Sequence, residues 1–171
     1  MYTKPTHILN FDHLLVNLQV LDRKYIRDKR SPIPKDANVS KVMSSNKPKN
    51  SKPETLIRKG LWGIGLRGYR IHYKAVEGKP DIAFVSKRVA IFVHGCYWHR
   101  CPYCKLKLPK HNIAFWKQKF ERNIKRDKAK SKHLKRMNWE VITLWECEIH
   151  ADLDKCLQKI NNILETNRII S

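Results

Sequence analysis

The sequence predicts an α/β (α+β) fold in which a central mixed sheet is flanked by helices. Two apolar runs on either side of Ser86-Lys87-Arg88 have the length of neighbouring strands in a hairpin or meander. A third apolar run, at 140–145, follows a long segment whose apolar residues recur at helical spacing. Strands that alternate with helices in this way are typical of a sheet covered by helices.

The composition narrows the class of protein. The chain has 171 residues, enough for one domain with its own core, and 42% of them are hydrophobic. Lys and Arg number 36 against 15 Asp and Glu, which gives a net charge of +21. Such an excess on a folded protein indicates a polyanionic partner, most often nucleic acid; the alternative is a basic surface that serves solubility.

The sequence shows neither a membrane segment nor a signal peptide. No apolar run approaches the roughly 18 residues that a membrane helix needs. Residues 1–20 lack the charged and apolar regions of a secretory signal. We therefore expect a cytoplasmic protein without membrane contact, in which clustered cysteines are metal ligands more often than disulfides.

The first third of the chain is uneven in composition. Residues 7–21 are apolar enough to form a helix or a strand, whereas residues 22–52 are rich in charge, Pro, Ser and Asn. The second segment is typical of a flexible basic arm that orders on DNA, although a plain linker has the same composition.

The first helix with a clear start signal is predicted where this composition ends. Ser51-Lys52-Pro53-Glu54 is a capping-box pattern with proline in the first turn, and closely spaced glycines end the helix near Leu66. A short strand is predicted at 69–73. The two apolar runs that follow would carry Asp81 and His94 to one sheet edge, where rigid elements can hold a catalytic pair.

A long helix is predicted next, from a cap at Asn112 to about Met137. Asp127 lies on the stripe of this helix that otherwise faces the core. A carboxylate there is costly unless it binds a metal or is paired, and neighbouring basic residues offer the local alternative. After the strand at 140–145, a last helix is predicted at 152–166, with Cys156 as a buried small hydrophobe.

Four cysteines have the pattern of a structural zinc site. Three form a compact C-x4-C-x2-C loop, and the fourth ends the 140–145 strand, which would bring it close if that strand lies beside the second apolar run. They are Cys96, Cys101, Cys104 and Cys147. His99 and His111 are rival fourth ligands. Four thiolates would leave no position open for water, so the zinc would be structural.

Asp81 is the candidate ligand for a catalytic metal. A carboxylate that opens a strand is often only a turn residue, but nucleases use carboxylates to hold Mg²⁺, which polarises the phosphoryl group. On the next strand Val93 offers only its backbone carbonyl, and His94 could act as general acid or base or be structural.

Aromatic residues lie between the presumed zinc ligands. Tyr97 and Trp98 would either cover the zinc site or stack on bases and wedge between base pairs. Trp116 is explained more simply as part of the core.

Four blocks of the sequence, in order, resemble the very short patch repair (Vsr) endonucleases. They are GKPDIAF, VAIFVHGCYWHRCPYC, FWKQKFERNIKRD and WEVITLWEC. The resemblance runs from Met43 to Cys147 and includes the SKPE helix start. It implies a restriction-endonuclease-like PD-(D/E)xK fold. It also implies nicking of DNA 5′ to the thymine of a T:G mismatch, which arises by deamination of 5-methylcytosine.

The resemblance further implies catalytic roles. Asp81 would be the metal-binding aspartate, with the backbone carbonyl of Val93 as a second Mg²⁺ ligand. His99 would activate the attacking water. Three polar residues would complete the network of metal-bound waters, namely His94, Glu54 and Asp127.

The same resemblance assigns DNA-contacting and zinc-binding residues. Three aromatics would intercalate beside the mismatch, with a wedge residue from the other groove; they are Tyr97, Trp98, Trp116 and Met43. Cys96 and Cys147 match zinc ligands directly, whereas Cys101 stands near a family histidine and Cys104 in an altered loop.

The sequence therefore predicts a Mg²⁺-dependent DNA mismatch endonuclease with a structural Zn²⁺. Two alternatives stay open: a restriction-type enzyme that cuts both strands of unmodified DNA, and a non-catalytic, zinc-stabilised DNA-binding protein. We expect an N-terminal extension at 1–42, the endonuclease domain at 43–150 and a C-terminal helix at 151–171. We expect the protein to be a monomer of bacterial type that associates with the nucleoid. Its expected partners are double-stranded DNA with a T:G mismatch, a cognate cytosine methyltransferase system and repair machinery.

Overall fold

The computed structural model describes residues 32–45 and 49–167. The element predicted at 7–21, and most of the extension expected before residue 43, lie outside these residues. Within the segment predicted as a flexible arm, the structure has a helix, α1 (Ala37–Ser45), none of whose residues is buried. Asp36 caps this helix, its carboxylate accepting a hydrogen bond from the Val39 N–H at 2.8 Å, and the flexible arm stays a prediction.

One mixed sheet of four strands, in the order β1-β2-β3-β4, forms the centre of the fold. The strands are β1 (Arg70–Ile71), β2 (Ile82–Phe84), β3 (Val89–His94) and β4 (Glu140–Trp145). The first three are antiparallel neighbours, and β4 runs parallel to β3. The parallel register pairs His94 with Trp145, so that β3 and β4 end side by side. The predicted mixed sheet, and the position of the 140–145 strand in it, are confirmed.

Five further α-helices lie in the described chain, together with one turn of 3-10 helix at Val85–Lys87 between β2 and β3. They are α2 (Lys52–Gly63), α3 (Cys96–His99), α4 (Ile113–Arg136), α5 (Glu146–Ala151) and α6 (Leu153–Thr166). Helix α2 has the predicted capping box of Ser51 and Glu54. Asn112 occupies the N-cap of α4, but its side chain makes no capping hydrogen bond because its backbone is left-handed, with a φ of 54°. The prediction of Asn112 as a capping side chain is therefore wrong, and the short helices α3 and α5 were not predicted.

Helices cover both faces of the sheet. Alternate residues of β2, β3 and β4 pack with Ile57 of α2 and Ile160 of α6 in the larger core. The other face packs with Leu134 of α4. Because both faces are covered, β3 reads as a continuous apolar run, and each fully buried Leu or Ile contributes about 1.5–3 kcal/mol to stability. Cys156 is buried in the larger core, as predicted.

A helix crosses a membrane only if it is long and apolar enough to span the hydrocarbon core. Across the two described ranges, no helix combines the length and the apolar character needed to cross a lipid bilayer.

Candidate active site

The end of β3 and the short helix α3 organise the site. His94 ends β3, Gly95 makes the turn, and α3 begins at Cys96. The Cys96 N–H donates to Glu146 Oε2 of α5 at 3.1 Å, and Asn123 Nδ2 of α4 donates to the Trp98 carbonyl at 3.0 Å. Helix α3 is therefore fixed by its neighbours on both sides, which a four-residue helix needs because it has little stability of its own.

His94, His99 and Asp127 form one polar cluster, with ligand atoms within 4.8 Å of one another. The two imidazole rings stack, with centroids 4.1 Å apart and planes 10° from parallel. His99 Nδ1 lies 2.6 Å from Asp127 Oδ2, and Arg126 donates to the other oxygen at 3.4 Å. The carboxylate on the stripe of α4 is thus paired, and its closest partner is a histidine from another element.

The charges within this cluster are set by burial and by the pairing. Burial alone would raise the pKa of Asp127, but the hydrogen bond and charge of His99 lower it below the ordinary value. Burial, reinforced by the charge of His99, lowers the pKa of His94 to about 4, so that its imidazole is neutral near pH 7. An ionised Asp127 accepts the Nδ1–H of His99, which leaves the His99 Nε2 lone pair able to take a proton.

A second cluster contains Glu54, His72 and Asp81, again with ligand atoms within 4.8 Å of one another. Glu54 is 6% exposed in the first turn of α2, where its capping role fixes its carboxylate. Asp81 Oδ2 accepts a hydrogen bond from the Val93 N–H at 2.8 Å. Burial raises the pKa of Asp81 to about 6, Glu54 adds to this shift, and the Val93 hydrogen bond opposes it.

His72 is the member of this cluster that sequence reasoning missed. It follows β1 directly, and the antiparallel register of β1 and β2, which pairs Ile71 with Ile82, brings it opposite Asp81. The sequence offers one signal for this contact, a histidine in a predicted strand that precedes the Asp81 strand by a turn. Without the register, that signal does not point to the site.

The two clusters meet at the end of β3. Asp81 is hydrogen-bonded to Val93, and the next residue is His94 of the other cluster. The charge of His99 also acts on Asp81 and lowers its pKa. A buried carboxylate and a half-buried one that could hold a divalent cation thus lie near a histidine that could take a proton from water. A cation ligand beside a proton acceptor is the combination of groups that metal-dependent phosphodiester hydrolysis uses.

The structure also brings the four predicted cysteine ligands together. The sulfurs of Cys96, Cys101, Cys104 and Cys147 all lie within 4.8 Å of one another. Cys101 Sγ is 3.7 Å from Cys147 Sγ, and the Cys147 N–H donates to Cys96 Sγ at 3.3 Å. Of the rival ligands, His99 belongs to the cluster with Asp127, and His111 is exposed. The four cysteines could therefore hold one metal ion between α3, the loop after it and α5.

The thiol pKa values differ within this group. Burial raises the pKa of the Cys147 thiol to about 11. Burial also opposes ionisation of Cys101, but hydrogen bonds from the backbone N–H groups of Tyr103 and Cys104 lower its pKa below the ordinary value. Backbone donors aimed at a sulfur stabilise a thiolate, the form that binds a metal.

The aromatic residues form a packed cluster at the junction of α3 and α4. Tyr97 packs edge-on against Phe120 and Trp98, with centroids 5.3 and 5.1 Å apart. Trp116 is 7% exposed and stacks on Phe120 at 5.8 Å, so the structure favours the core interpretation of this residue. Tyr97 and Trp98 are half-buried, as is Met43 on α1. Their assignment as intercalating residues stays a prediction.

Comparison with known proteins finds a family model, related sequences and a solved structure. The family model described as DNA mismatch endonuclease Vsr matches residues 33–105. The chain is 39% identical over 125 residues to the type II nicking enzyme V.XorIIP of Xanthomonas oryzae pv. oryzae, a match that covers 72% of this chain and 90% of that protein. It is 31% identical over 115 residues to the DNA mismatch endonuclease Vsr of Escherichia coli, which covers 67% and 73% of the two chains. The catalytic domain of the homing endonuclease I-Bth0305I is similar with a TM-score of 0.49 and 26% identity, over 69% of this chain and 98% of that one.

A mixed sheet covered by helices, with two carboxylates near paired histidines on a strongly basic protein, suits a DNA endonuclease. The alignments with these relatives span most of both proteins and are not confined to one motif. The chain belongs to the Vsr family of DNA mismatch endonucleases.

Proposed function

We propose that this endonuclease nicks one strand of duplex DNA 5′ to the thymine of a T:G mismatch, by Mg²⁺-dependent hydrolysis, and so begins very short patch repair. The observation that carries the proposal is the meeting of Asp81 with the His99–Asp127 pair at the end of β3, in a member of this family. The relatives are named as nicking enzymes and as a mismatch endonuclease. Those names favour a single-strand nick over the restriction-type alternative.

The donor set near Asp81 suits a divalent cation. Asp81 and the Val93 carbonyl would hold Mg²⁺, and Glu54 would bind its waters. Burial makes the ionised form of Asp81 costly, and the second carboxylate nearby adds to that cost. A cation would remove both penalties. When bound, Mg²⁺ would polarise the phosphoryl group and stabilise the charge that develops on the leaving oxygen.

The side chains around the Mg²⁺ site would transfer the protons. His99 Nε2 would take a proton from water as the water oxygen bonds to phosphorus and the bond from phosphorus to the leaving sugar oxygen breaks; the leaving oxygen then takes a proton from solvent. Asp127 stabilises the imidazolium that results, because its carboxylate lies 2.6 Å from His99 Nδ1. The neutral imidazole of His94 stacks on His99 and keeps a second positive charge away from it.

The charge and the aromatic cluster would serve DNA binding. A net charge of +21 favours contacts with phosphates, so binding should weaken steeply with salt. Tyr97 and Trp98, with Trp116 behind them and Met43 from the other groove, would wedge beside the mismatch. The domain boundaries, the monomeric state, the nucleoid association and the methyltransferase and repair partners stay predictions.

The four cysteines would hold a structural Zn²⁺. Four sulfur ligands close a tetrahedral site and leave no position for substrate. Because Cys96 and His99 lie on the same short helix, such an ion would also fix the position of the base.

The test measures strand cleavage in duplexes that are identical except at one base pair. Duplexes with T:G, T:A or C:G at one position, and with randomised flanking bases, are labelled separately on each strand and incubated with Mg²⁺. We expect cleavage of the T:G pool alone, in the thymine strand, 5′ to the thymine. Sequencing the cleaved pool then gives the flanking preference.

Two results would overturn the proposal. Equal cleavage of the three pools would remove the mismatch from the function, and breaks in both strands on a native gel would favour the restriction-type enzyme. A pool with randomised flanks prevents an unsuitable context from being mistaken for an inactive enzyme.

Replacing Asp127 with Asn should lower the rate of nicking by about 10²–10⁴-fold, with little change in DNA affinity. The amide can donate to His99 Nδ1 and so favour the wrong tautomer, which places the proton on Nε2. The matched control is Glu121→Gln, the same carboxylate-to-amide change at an exposed position on the same helix. Single-turnover nicking rates for both variants measure the effect, and equal rates would exclude Asp127 from the reaction.

A further inference from the structure

His72 lies between the two carboxylates of the second cluster. Its Nε2 is 3.7 Å from Glu54 Oε2, and its Nδ1 is 3.9 Å from Asp81 Oδ1. Its side chain is 18% exposed. These separations are too long for direct hydrogen bonds, yet the three side chains point ligand atoms at one another within 4.8 Å. Such spacing suits groups that share an ion.

The backbone holds His72 in this position in an unfavourable conformation. Its φ is 46°, in the left-handed region that side chains disfavour. Two hydrogen bonds impose the geometry, from the His72 N–H to the Asp81 carbonyl at 2.9 Å and from the Tyr73 N–H to the Pro80 carbonyl at 3.1 Å. Strain of this kind persists where the surrounding structure over-determines it, and it is common at functional sites.

The hydrogen bonds of Asn50 determine which nitrogen of His72 is free. Arg58, which can only donate, donates to Asn50 Oδ1 at 2.8 Å. Asn50 Oδ1 is therefore the acceptor for His72 Nε2, 3.2 Å away, and Nε2 must carry the hydrogen. In the neutral imidazole the lone pair is then on Nδ1, the nitrogen nearer to Asp81. The Asn50 N–H also donates to Glu54 Oε2 at 3.0 Å, so one residue orients both groups.

We propose that His72 Nδ1 is a further ligand of the divalent metal ion held by Asp81, and that it sets the metal preference of the enzyme. This inference rests on the proposed metal-dependent function. A lone pair 3.9 Å from a carboxylate oxygen is repelled by it, and a cation between the two groups would replace this repulsion with two attractions. Asn50 and Arg58 then act as the outer partners that fix the ring and its tautomer, as such partners commonly do for metal-binding histidines.

A nitrogen ligand changes which ions the site prefers. Mg²⁺ is a hard cation that takes oxygen ligands, whereas Mn²⁺ and Co²⁺ accept imidazole more readily. A cage of carboxylates and a carbonyl alone would discriminate less between these ions. His72 should therefore raise the affinity for Mn²⁺ more than the affinity for Mg²⁺.

The variant that isolates the imidazole is His72→Asn. Asparagine tolerates the left-handed backbone better than most residues, so the fold keeps its turn. Its Oδ1 can take nearly the place of Nδ1, so the variant exchanges the nitrogen ligand for an oxygen and leaves no imidazole in this cluster. The matched control is His150→Asn, which removes an exposed histidine on α5. Circular dichroism of both full-length variants checks that they fold.

Two measurements on the full chain test the proposal without relying on activity. Mn²⁺ binding is titrated by EPR, with Mg²⁺ competition, and pulsed EPR detects ¹⁴N modulation from a coordinated imidazole. We expect His72→Asn to weaken Mn²⁺ binding by at least about tenfold and Mg²⁺ binding by less. The ¹⁴N modulation should be present in the wild type and in His150→Asn and absent in His72→Asn. The ratio of nicking rates in Mn²⁺ and Mg²⁺ should fall in parallel.

Each outcome bears on one proposal or the other. Unchanged Mn²⁺ affinity and unchanged ¹⁴N modulation in His72→Asn would overturn the assignment of His72 as a ligand. Absence of ¹⁴N modulation in the wild type, or of any Mn²⁺ binding that depends on Asp81, would overturn it as well. A wild type that shows the modulation but leaves T:G duplexes intact would support the ligand and overturn the proposed substrate.

Discussion

An Asp81→Asn variant is expected to bind mismatched duplex DNA and to nick it at least about 10³-fold more slowly than the wild type, a loss of roughly 4 kcal/mol of transition-state stabilisation. The change removes a charged oxygen from the half-buried group that would hold Mg²⁺. The amide keeps the size of the side chain and can still accept the Val93 hydrogen bond through its oxygen. The loss should therefore fall on catalysis rather than on folding.

The control and the readouts separate chemistry from binding. Asp154→Asn makes the same change at an exposed position in the first turn of α6 and should leave the rate unchanged. Fluorescence anisotropy with a labelled T:G duplex should show equal or tighter binding by Asp81→Asn, because a negative charge near the phosphate is removed. Wild-type nicking rates for Asp81→Asn would remove this residue from the active site.

Local patterns predicted the parts of the fold that depend on neighbouring residues. The capping box at Ser51 and Glu54 defined the start of α2, because its two hydrogen bonds form within one turn. The same pattern also delivers a buried carboxylate to the site. The apolar run of β3 indicated a strand covered on both faces, and the sheet confirms it.

Features that depend on distant partners could not be predicted in this way. Helix α3 is only four residues long, and it is held by Asn123 and Glu146, which lie far from it in sequence. The partner of Asp127 is His99, 28 residues away, although basic neighbours on the same helix were the closer candidates in sequence. His72 reaches Asp81 only through the register of β1 and β2. Resemblance to a family supplied residue roles, but not these supporting contacts.

The short helix α3 connects the cysteine cluster to the candidate active site. Its first residue, Cys96, belongs to the cysteine cluster, and its last, His99, belongs to the candidate active site. A change at the cysteines should therefore displace His99, the proposed base, because it lies within one helical turn of Cys96. This connection makes the cysteine cluster testable through both stability and activity.

Replacing Cys101 with Ala is expected to release the proposed Zn²⁺ and to lower the free energy of unfolding by more than about 4 kcal/mol, a loss of the size that removal of a metal site can cause. For a chain of this length that corresponds to a fall in melting temperature of about 8–16 °C. Metal analysis of the purified protein should show about one zinc per wild-type chain and almost none for the variant, because removing one of four ligands opens the tetrahedron.

Cys156→Ala is the matched control, since it makes the same change at a cysteine that is equally buried, 6% exposed against 5% for Cys101. Cys156 packs in the apolar core rather than with the other cysteines, so its loss should cost only about 1 kcal/mol and leave the zinc content unchanged. Nicking should fall with Cys101→Ala and not with Cys156→Ala, because only the first change frees the helix that carries His99. Equal zinc content in the two variants would show that Cys101 is not a ligand. If both variants lost the same stability and neither lost metal, the four cysteines would contribute to stability only through packing.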